Sequence, residues 1–176
     1  MTVPLIGERY RGVEGHTGYL LRQASHTLRT ALDATLRPHN LNAPQYAVLS
    51  VLARDPGSSG ADLARACNTT PQAMNGVLAT LEREGLIERH PHPTHGRILQ
   101  VTLTEEGRRR LEAANPAVRE ISAAIEAGFA DGEIASIKAW LVESAARLER
   151  RAKSRRPGDG GFESARPRAG LGECGC

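Results

Sequence analysis

Aromatic residues are scarce in this chain of 176 residues, since phenylalanine, tyrosine and tryptophan together make up 3% of it. Its core therefore has to be built mainly from leucine, isoleucine, valine and alanine. The sequence also lacks an apolar run long enough to span a bilayer and a secretory signal segment, so we expect a cytoplasmic protein. Its three cysteines, with Cys174 and Cys176 close together at the C-terminus, do not make the disulfide framework of a secreted domain.

Three signatures of enzymes are absent as well: a paired nucleophile and base, a phosphate-binding loop, and a convincing cluster of metal ligands. We therefore expect a protein that is not an enzyme and that needs no cofactor. Lysine and arginine outnumber aspartate and glutamate by 23 to 20, which gives a net charge of +3, and the isoelectric point is near 9.0. This charge balance permits a polyanionic partner but does not demand one.

Start and stop signals for two short helices follow one another between residues 58 and 85. Ser59 is followed three residues later by Asp62, an approximate capping box. Thr70 is an N-cap residue, and Pro71 stands at the first helical position, where its missing N–H costs nothing. Gly85 is the glycine expected just after a helix end. These signals predict two helices joined by a tight turn.

The second of these helices has one apolar face and one exposed face. Its apolar stripe is Met74, Val77, Leu78 and Leu81, and its other face is Gln72, Asn75, Gly76, Ala79 and Arg83. Residues 86–89 and 98–103 then have the pattern of strands, with a loop over residues 90–97. We predict a fold that is mainly α with a small two-stranded β-wing. This winged helix-turn-helix can place its second helix in the major groove of DNA.

Long amphipathic helices are predicted on both sides of this module. They cover residues 16–36 before it and the residues from Glu105 and from Gly132 after it, with a kink at Pro116, and a shorter helix over residues 43–54 leads into the helix-turn-helix. The two later helices cannot both bury their apolar stripes on so small a module, so we expect a homodimer. The predicted organisation is a flexible segment over 1–15, dimerisation helices over 16–40 and 104–153, the winged module over 41–103 and a disordered basic tail over 154–176.

The order of these elements and several short motifs resemble the multiple antibiotic resistance regulator (MarR) family of bacterial transcription factors. The matching residues are Leu41, Gln45, Val48, Leu49, Leu63, Ala64, Leu81, Glu82, Gly85, Leu86, Ile87, Arg89, Leu103, Thr104 and Gly107. The resemblance implies that the first helix pairs with that of a second subunit. Two recognition helices about one duplex turn apart would then read a pseudo-palindromic operator.

Candidate DNA contacts lie on the second helix of the motif and in the wing. Gln72 and Asn75 can each make a paired hydrogen bond to adenine, and the Thr70 hydroxyl can hold a phosphate. The full predicted set is Thr70, Gln72, Ala73, Asn75, Gly76, His95 and Arg97. The resemblance implies that Arg97 enters the minor groove. Two positions depart from the family, because Gly76 replaces a long side chain and His95 replaces the aspartate that would orient the arginine.

The resemblance also implies a ligand site. Members of the family bind small aromatic acids and other phenolic ligands in the cleft between the dimerisation helices and the winged module. A few polar groups in an apolar cleft are typical of such sites. The candidate ligand contacts here are Tyr19, His26 and Tyr46.

Histidines and cysteines offer two further interpretations. His90, His92 and His95 are of a residue type that binds metals, but a polar wing explains them more simply, and we predict no metal site. Cys67 stands at an apolar helical position and is interpreted as packing rather than as a redox sensor. Cys174 and Cys176 are assigned no function.

The sequence therefore predicts a ligand-responsive, homodimeric, DNA-binding transcriptional regulator. In the most specific form of this prediction it is a repressor that a phenolic or antibiotic-like ligand releases from its operator. A metal-responsive or redox-responsive regulator of the same fold is one alternative. A winged-helix module that makes only protein–protein contacts is another.

Overall fold

The computed structural model describes residues 3–91 and 99–154, and it is mainly helical with one small antiparallel sheet. Its contacts divide the chain into two units, Met1–Ala127 and Gly128–Cys176. The elements in chain order are α1 (Thr17–Leu36), α2 (Ala43–Arg54), β1 (Ser58–Ser59), α3 (Gly60–Ala66), α4 (Pro71–Arg83), β2 (Ile87–Pro91), β3 (Leu99–Leu103), α5 (Glu105–Glu126) and α6 (Asp131–Ser154). Within the described ranges, none of these helices has the length and apolar character needed to cross a membrane.

The segment that precedes α1 is bonded to that helix. A turn of 3-10 helix over Arg9–Arg11 places Arg11 beside Gln23. The Arg11 Nε donates a hydrogen bond to Gln23 Oε1 at 2.9 Å, and the Gln23 Nε2 donates to the Arg11 carbonyl oxygen at 3.1 Å. The flexibility predicted for residues 1–15 stays a prediction.

Gln45, one of the residues that resemble the family, has a structural role at the start of α2. Asn42 is the N-cap, and its Oδ1 accepts from the Gln45 backbone N–H at 2.9 Å, while Gln45 Oε1 accepts from the Asn42 N–H at 3.0 Å. Gln45 is only 6% exposed. Because these paired bonds satisfy backbone groups at the helix start, a polar side chain is accommodated at the edge of the core.

The helix-turn-helix forms as the capping signals predict. Ser59 and Asp62 make the reciprocal bonds of a capping box at α3. Thr70 caps α4, and its Oγ1 accepts from the Ala73 N–H at 3.2 Å. Between the two helices Asn68 takes the left-handed conformation, with φ at 49°, which asparagine tolerates better than most residues. This single residue makes the tight turn possible.

The predicted two-stranded wing forms as β2 and β3, and a third strand that the sequence did not predict completes a sheet of order β1-β3-β2. Ser58 pairs with Val101 and Ser59 with Gln100, so the residues just before α3 add a short edge strand. Strand β2 runs on to Pro91, two residues into the predicted loop. Since β1 has only two residues and its partner lies about forty residues away, no local pattern marks it.

Leucines fill the core of the first unit, as the shortage of aromatics predicts. Among the largest fully buried side chains are Leu36, Leu49, Leu52, Leu63, Met74, Leu78, Leu81, Leu86 and Ile87. They come from α1 to α4, from the residue before β2 and from the first residue of β2, and Leu111 and Ala114 of α5 extend the cluster. Helix α4 is thus held on one side by a continuous apolar core.

The second unit contains α6, which begins at Asp131, so the break predicted at Asp131 and Gly132 falls slightly earlier in the chain. Gly128, with φ at 86°, lies in that break. None of the residues of α6 is buried within the chain. Its exposed large apolar side chains are Ile137, Trp140, Leu141, Val142 and Leu148. Most of the predicted tail, residues 155–176, lies outside the described residues.

Candidate DNA-binding face and ligand cleft

Two features orient α4 on the body of the protein. The Thr70 cap and Pro71 at the first helical position define where the helix begins. Met74, Leu78 and Leu81 are buried in the core, so the opposite side of the helix faces solvent. This outward side carries the candidate DNA contacts.

The five contacts predicted on α4 and its cap come together in the structure. Thr70, Gln72, Ala73, Asn75 and Gly76 are all exposed. Thr70 Oγ1 accepts the capping bond from the Ala73 N–H, which leaves its O–H free to donate. Contact of these residues with DNA stays a prediction. His95 and Arg97 of the wing lie outside the described residues.

A groove of about 360 Å³ separates α4 from the sheet. It is lined by Ser59, Gly60, Ala61, Asn75, Leu78, Arg89, Leu99 and Val101. Arg89 Nε lies 3.0 Å from Glu82 Oε2, and the arginine side chain is 22% exposed. That Nε is buried and has no partner of hydrogen-bond geometry, so the contact is an ion pair rather than a directed hydrogen bond. Glu82 holds the Arg89 guanidinium against the end of α4.

The capping box of α3 supplies a charged group close to the same groove. The Ser59 hydroxyl and the Ser59 backbone N–H both donate to the Asp62 carboxylate, which also contacts Arg65. These hydrogen bonds, chiefly those of Ser59, lower the pKa of Asp62 from its ordinary value of 3.8. The ionised form of Asp62 is thus the one that these bonds stabilise, and the reciprocal Ser59–Asp62 bonds fix the start of α3.

A second and larger cleft lies between α1, α2 and α4. Its volume is about 510 Å³, and it is lined by Arg29, Leu32, Ala43, Pro44, Ala47, Cys67, Asn68, Thr69, Ala73, Met74 and Val77. Arg29 is the one charged residue among these described residues. Burial raises the pKa of the Cys67 thiol. An apolar cleft with one cation suits a small ligand that carries an apolar ring and an anionic group.

The three predicted ligand contacts do not line this cleft. Tyr46 belongs to α2, and its hydroxyl donates to Asn115 Oδ1 of α5 at 2.8 Å. The Tyr19 ring packs edge-to-face against Tyr10, with 5.8 Å between the ring centroids, and the Arg22 guanidinium lies over the Tyr19 ring at 5.6 Å from its centroid. His26 is exposed on α1. Their role in ligand binding stays a prediction.

Arg29, the charged residue of the cleft, was missed by the sequence reasoning. It stands between Leu28 and Leu32 of the apolar pattern of α1, which is a weak signal. Asn68 and Thr69 were also missed, because they belong to the turn between α3 and α4. Only the packing of three separate elements places these residues around one cavity.

The histidine cluster is only partly described. His90 lies in β2, and its Nε2 is 3.3 Å from Glu88 Oε2. His92 and His95 lie outside the described residues. The prediction that the wing histidines bind no metal therefore stays a prediction.

Known proteins with similar sequences are named transcriptional repressors or transcriptional regulators. Residues 39–98 match the MarR family. The HTH-type transcriptional repressor Rv2887 of Mycobacterium tuberculosis is 41% identical over 108 residues, which cover 61% of this chain and 78% of that protein. The homoprotocatechuate degradative operon repressor of Escherichia coli is 31% identical over 124 residues, which cover 70% of this chain and 83% of the repressor.

Solved structures share the fold. Rv2887 of Mycobacterium tuberculosis in complex with p-aminosalicylic acid gives a TM-score of 0.59 at 35% identity and covers 74% of this chain and 98% of its own. The structure of Bordetella bronchiseptica BpsR, whose DNA binding is regulated by 6-hydroxynicotinic acid, gives a TM-score of 0.70 at 26% identity. It covers 76% of this chain and 95% of its own. With its helix-turn-helix, its small sheet and these relatives, the chain belongs to the MarR family of winged-helix DNA-binding transcriptional regulators.

Proposed function

We propose that the protein is a homodimeric repressor that binds a pseudo-palindromic operator and that a small phenolic or antibiotic-like acid releases from it. One observation carries the proposal. The 510 Å³ cleft is lined by Ala73, Met74 and Val77 of α4, which is the helix that presents the candidate DNA contacts. A ligand in the cleft would touch the recognition helix directly.

The chemistry of the lining supports an aromatic carboxylic acid as the ligand. Leu32, Pro44 and Met74 offer apolar surface, and Arg29 offers a cation for a carboxylate. The volume lies within the roughly 300–1,000 Å³ that is usual for small-molecule sites. p-Aminosalicylic acid and 6-hydroxynicotinic acid, the compounds named with Rv2887 and BpsR, are both aromatic acids. Tyr19, His26 and Tyr46 lie elsewhere, so Arg29 is the ligand contact that we propose first.

Exposed apolar surface supports the homodimer. Leu28 on α1, Ile125 on α5 and Trp140 on α6 are all exposed within one chain. Apolar side chains in such numbers are usually covered by a partner, and a second copy of the same chain is the simplest one. A two-fold dimer carries two α4 helices and therefore reads two half-sites of opposite orientation.

The proposed mechanism is a shift between two arrangements of the dimer. DNA favours the arrangement in which both α4 helices match the spacing of the half-sites. A ligand that packs against α1, α2 and α4 favours a different spacing, and each binding event weakens the other by the same factor.

We propose ligand control ahead of redox control through Cys67. The raised pKa of Cys67 lowers the fraction of thiolate, which is the reactive form of cysteine. The other alternative is a winged-helix module that makes only protein–protein contacts, and no feature of the described residues favours it. A measurement of DNA binding distinguishes that alternative from the proposed repressor.

The first experiment measures binding to a labelled duplex from the promoter region next to the protein's own gene. We expect the logarithm of the affinity to fall linearly with the logarithm of the salt concentration, since phosphate contacts release counterions. Asn75→Ala and Arg97→Ala should each weaken binding about tenfold. If both variants bind as tightly as the parent, the proposed DNA face is wrong.

The ligand is tested in the same assay with salicylate, p-aminosalicylate and 6-hydroxynicotinate as probes. We expect at least one probe to raise the melting temperature and to release the duplex. Arg29→Ala should weaken that probe by about 10- to 100-fold because a charged hydrogen bond is lost. Arg22→Ala, two turns earlier on α1 and outside the cleft, is the control that should leave ligand affinity unchanged. Failure of all three probes to release DNA would contradict the proposed ligand class.

A further inference from the structure

The outward side of α4 has an unusual surface for a helix that approaches DNA. Gln72, Gly76, Ala79 and Arg83 are spaced four, three and four residues apart, so they lie in one row along the helix. All four are exposed. Asn75 flanks this row on the side of the groove beside the sheet, and Ala73 flanks it on the side of the ligand cleft. Because its two middle residues are Gly76 and Ala79, the middle of the row has almost no side chain.

Gly76 has no role in the folding of the protein that would require glycine. It lies inside the helix with ordinary helical backbone, and a Cβ atom added there would meet nothing within 4 Å. Glycine weakens the interior of a helix relative to alanine. The packing and the backbone geometry at position 76 would both accept a larger residue. The remaining reason for glycine is that it leaves room for a molecule that approaches the helix from outside.

We propose that Gly76 is the point where the backbone of α4 comes closest to the floor of the major groove, and that this close approach lets Gln72 and Asn75 read an A·T half-site. The inference rests on the proposed role of α4 in operator binding and adds the class of DNA sequence that it recognises. Glycine is favoured wherever a backbone must approach a ligand closely.

The side chains beside Gly76 are those that recognise A·T pairs. The amides of Gln72 and Asn75 each match the N6 donor and the N7 acceptor of adenine, and the methyl groups of Ala73 and Ala79 match the thymine methyl. The paired donor that recognises guanine is arginine or lysine, and α4 has neither between Pro71 and Glu82.

The arginine that ends α4 and the arginine of β2 that pairs with Glu82 are poorly placed for reading guanine. Arg83 is the last residue of α4 and lies roughly 16 Å along the axis from Gln72, whereas base contacts come from the N-terminal part of a recognition helix. Arg83 is thus placed for a phosphate. Arg89 is paired with Glu82 at 3.0 Å. The base-reading part of the described helix is therefore neutral.

The spacing of the two amides predicts where the A·T pairs lie. Gln72 and Asn75 are three residues apart, which is about 4.5 Å along the helix axis. In zinc fingers, residues three apart on the recognition helix contact successive bases, so Gln72 and Asn75 at the same spacing can reach neighbouring pairs. We expect each half-site to contain two neighbouring A·T pairs that Gln72 and Asn75 read.

The first test is Gly76→Ala, measured by thermal unfolding and by binding to the selected operator. The melting temperature should rise by about 2–4 °C, since alanine favours the helix, while operator affinity should fall about tenfold or more, since the methyl group holds the backbone away from the bases. Gly132→Ala, at another exposed helical glycine with open space around it, is the matched control that should leave operator affinity unchanged. Unchanged or tighter operator binding by Gly76→Ala would overturn the close approach.

The second test selects duplexes from a random library with the full-length parent protein and with the Gln72→Ala and Asn75→Ala variants. The parent should enrich neighbouring A·T pairs in both half-sites. Each variant should lose discrimination at one pair by about 5- to 150-fold. If the parent enriches G·C pairs at the positions that these variants relax, the inference is wrong while operator binding stands. If the parent enriches no sequence at all, the proposed function itself fails.

Discussion

Two glycines, one on α4 and one on α5, differ in the space around them. Gly76 faces open space, whereas a Cβ atom on Gly107 would lie 2.0 Å from the carbonyl oxygen of Leu86. The same oxygen accepts from the Thr104 N–H at 3.1 Å, and Thr104 Oγ1 accepts from the Gly107 N–H at 3.0 Å. Gly107 therefore lets the first turn of α5 pack directly on the backbone that leads into β2.

Gly107→Ala should lower the free energy of unfolding by about 1–3 kcal/mol, because the added methyl group has to displace backbone rather than a flexible side chain. Chemical denaturation with a fixed protein concentration measures this. Gly132→Ala is the control and should be neutral or stabilising. A Gly107→Ala protein as stable as the parent would show that α5 can shift away from Leu86 at no cost.

At the scale of elements, α2 joins the DNA-binding module to α5. Its buried residues Val48, Leu49 and Leu52 lie in the same core as α4. The hydrogen bond from the Tyr46 hydroxyl to Asn115 Oδ1 adds a polar contact to α5. Because this bond crosses 69 residues of sequence, it holds together parts of the chain that caps and periodicity describe separately.

Tyr46→Phe should lower the free energy of unfolding by about 0.5–1.5 kcal/mol, the usual net value of one hydrogen bond. In a double-mutant cycle with Asn115→Ala, the two losses should be less than additive, since either change removes the same bond. Tyr10→Phe is the control at a more exposed tyrosine and should have little effect. Fully additive losses would mean that the Tyr46–Asn115 bond contributes nothing.

At the scale of the whole molecule, the apolar residues of α6 have the spacing of a helix-packing surface. Ile137, Leu141 and Leu148 follow one another at helical spacing, and Trp140 lies beside them. Trp140 is 46% exposed within one chain and is the single tryptophan of the protein. Val142, at 71% exposure, lies on a different side of the helix and provides a natural comparison.

Leu141→Glu should convert the proposed homodimer into monomers in sedimentation experiments and weaken operator binding by 100-fold or more, since a monomer reads one half-site. Dissociation should also shift the emission of Trp140 to longer wavelength as water reaches the ring. Val142→Glu is the matched control and should remain a dimer. A parent protein that sediments as a monomer at micromolar concentration would overturn the homodimer.

Local signals in the sequence were sufficient for the helices. The caps at Asn42, Ser59, Thr70 and Thr104 act within three residues, so the starts of α2 to α5 could be read directly. Strand β1 could not, because its two residues form a strand only through pairing with β3. The sequence around Ser59 shows that it caps α3 but does not show that it also pairs with Gln100, which lies far away in the chain.

The outward face of α4 was determined by the sequence alone, because the spacing of Met74, Leu78 and Leu81 leaves only one side of the helix to be buried. The ligand cleft was decided by the tertiary structure. Arg29, Pro44 and Asn68 belong to three different elements, and no periodicity within one element indicates which of its residues will meet the others. Tyr46 shows the same limit, since its hydroxyl is bonded to Asn115 rather than directed into the cleft. A helix face follows from neighbours in the sequence, whereas a cavity follows from how helices pack.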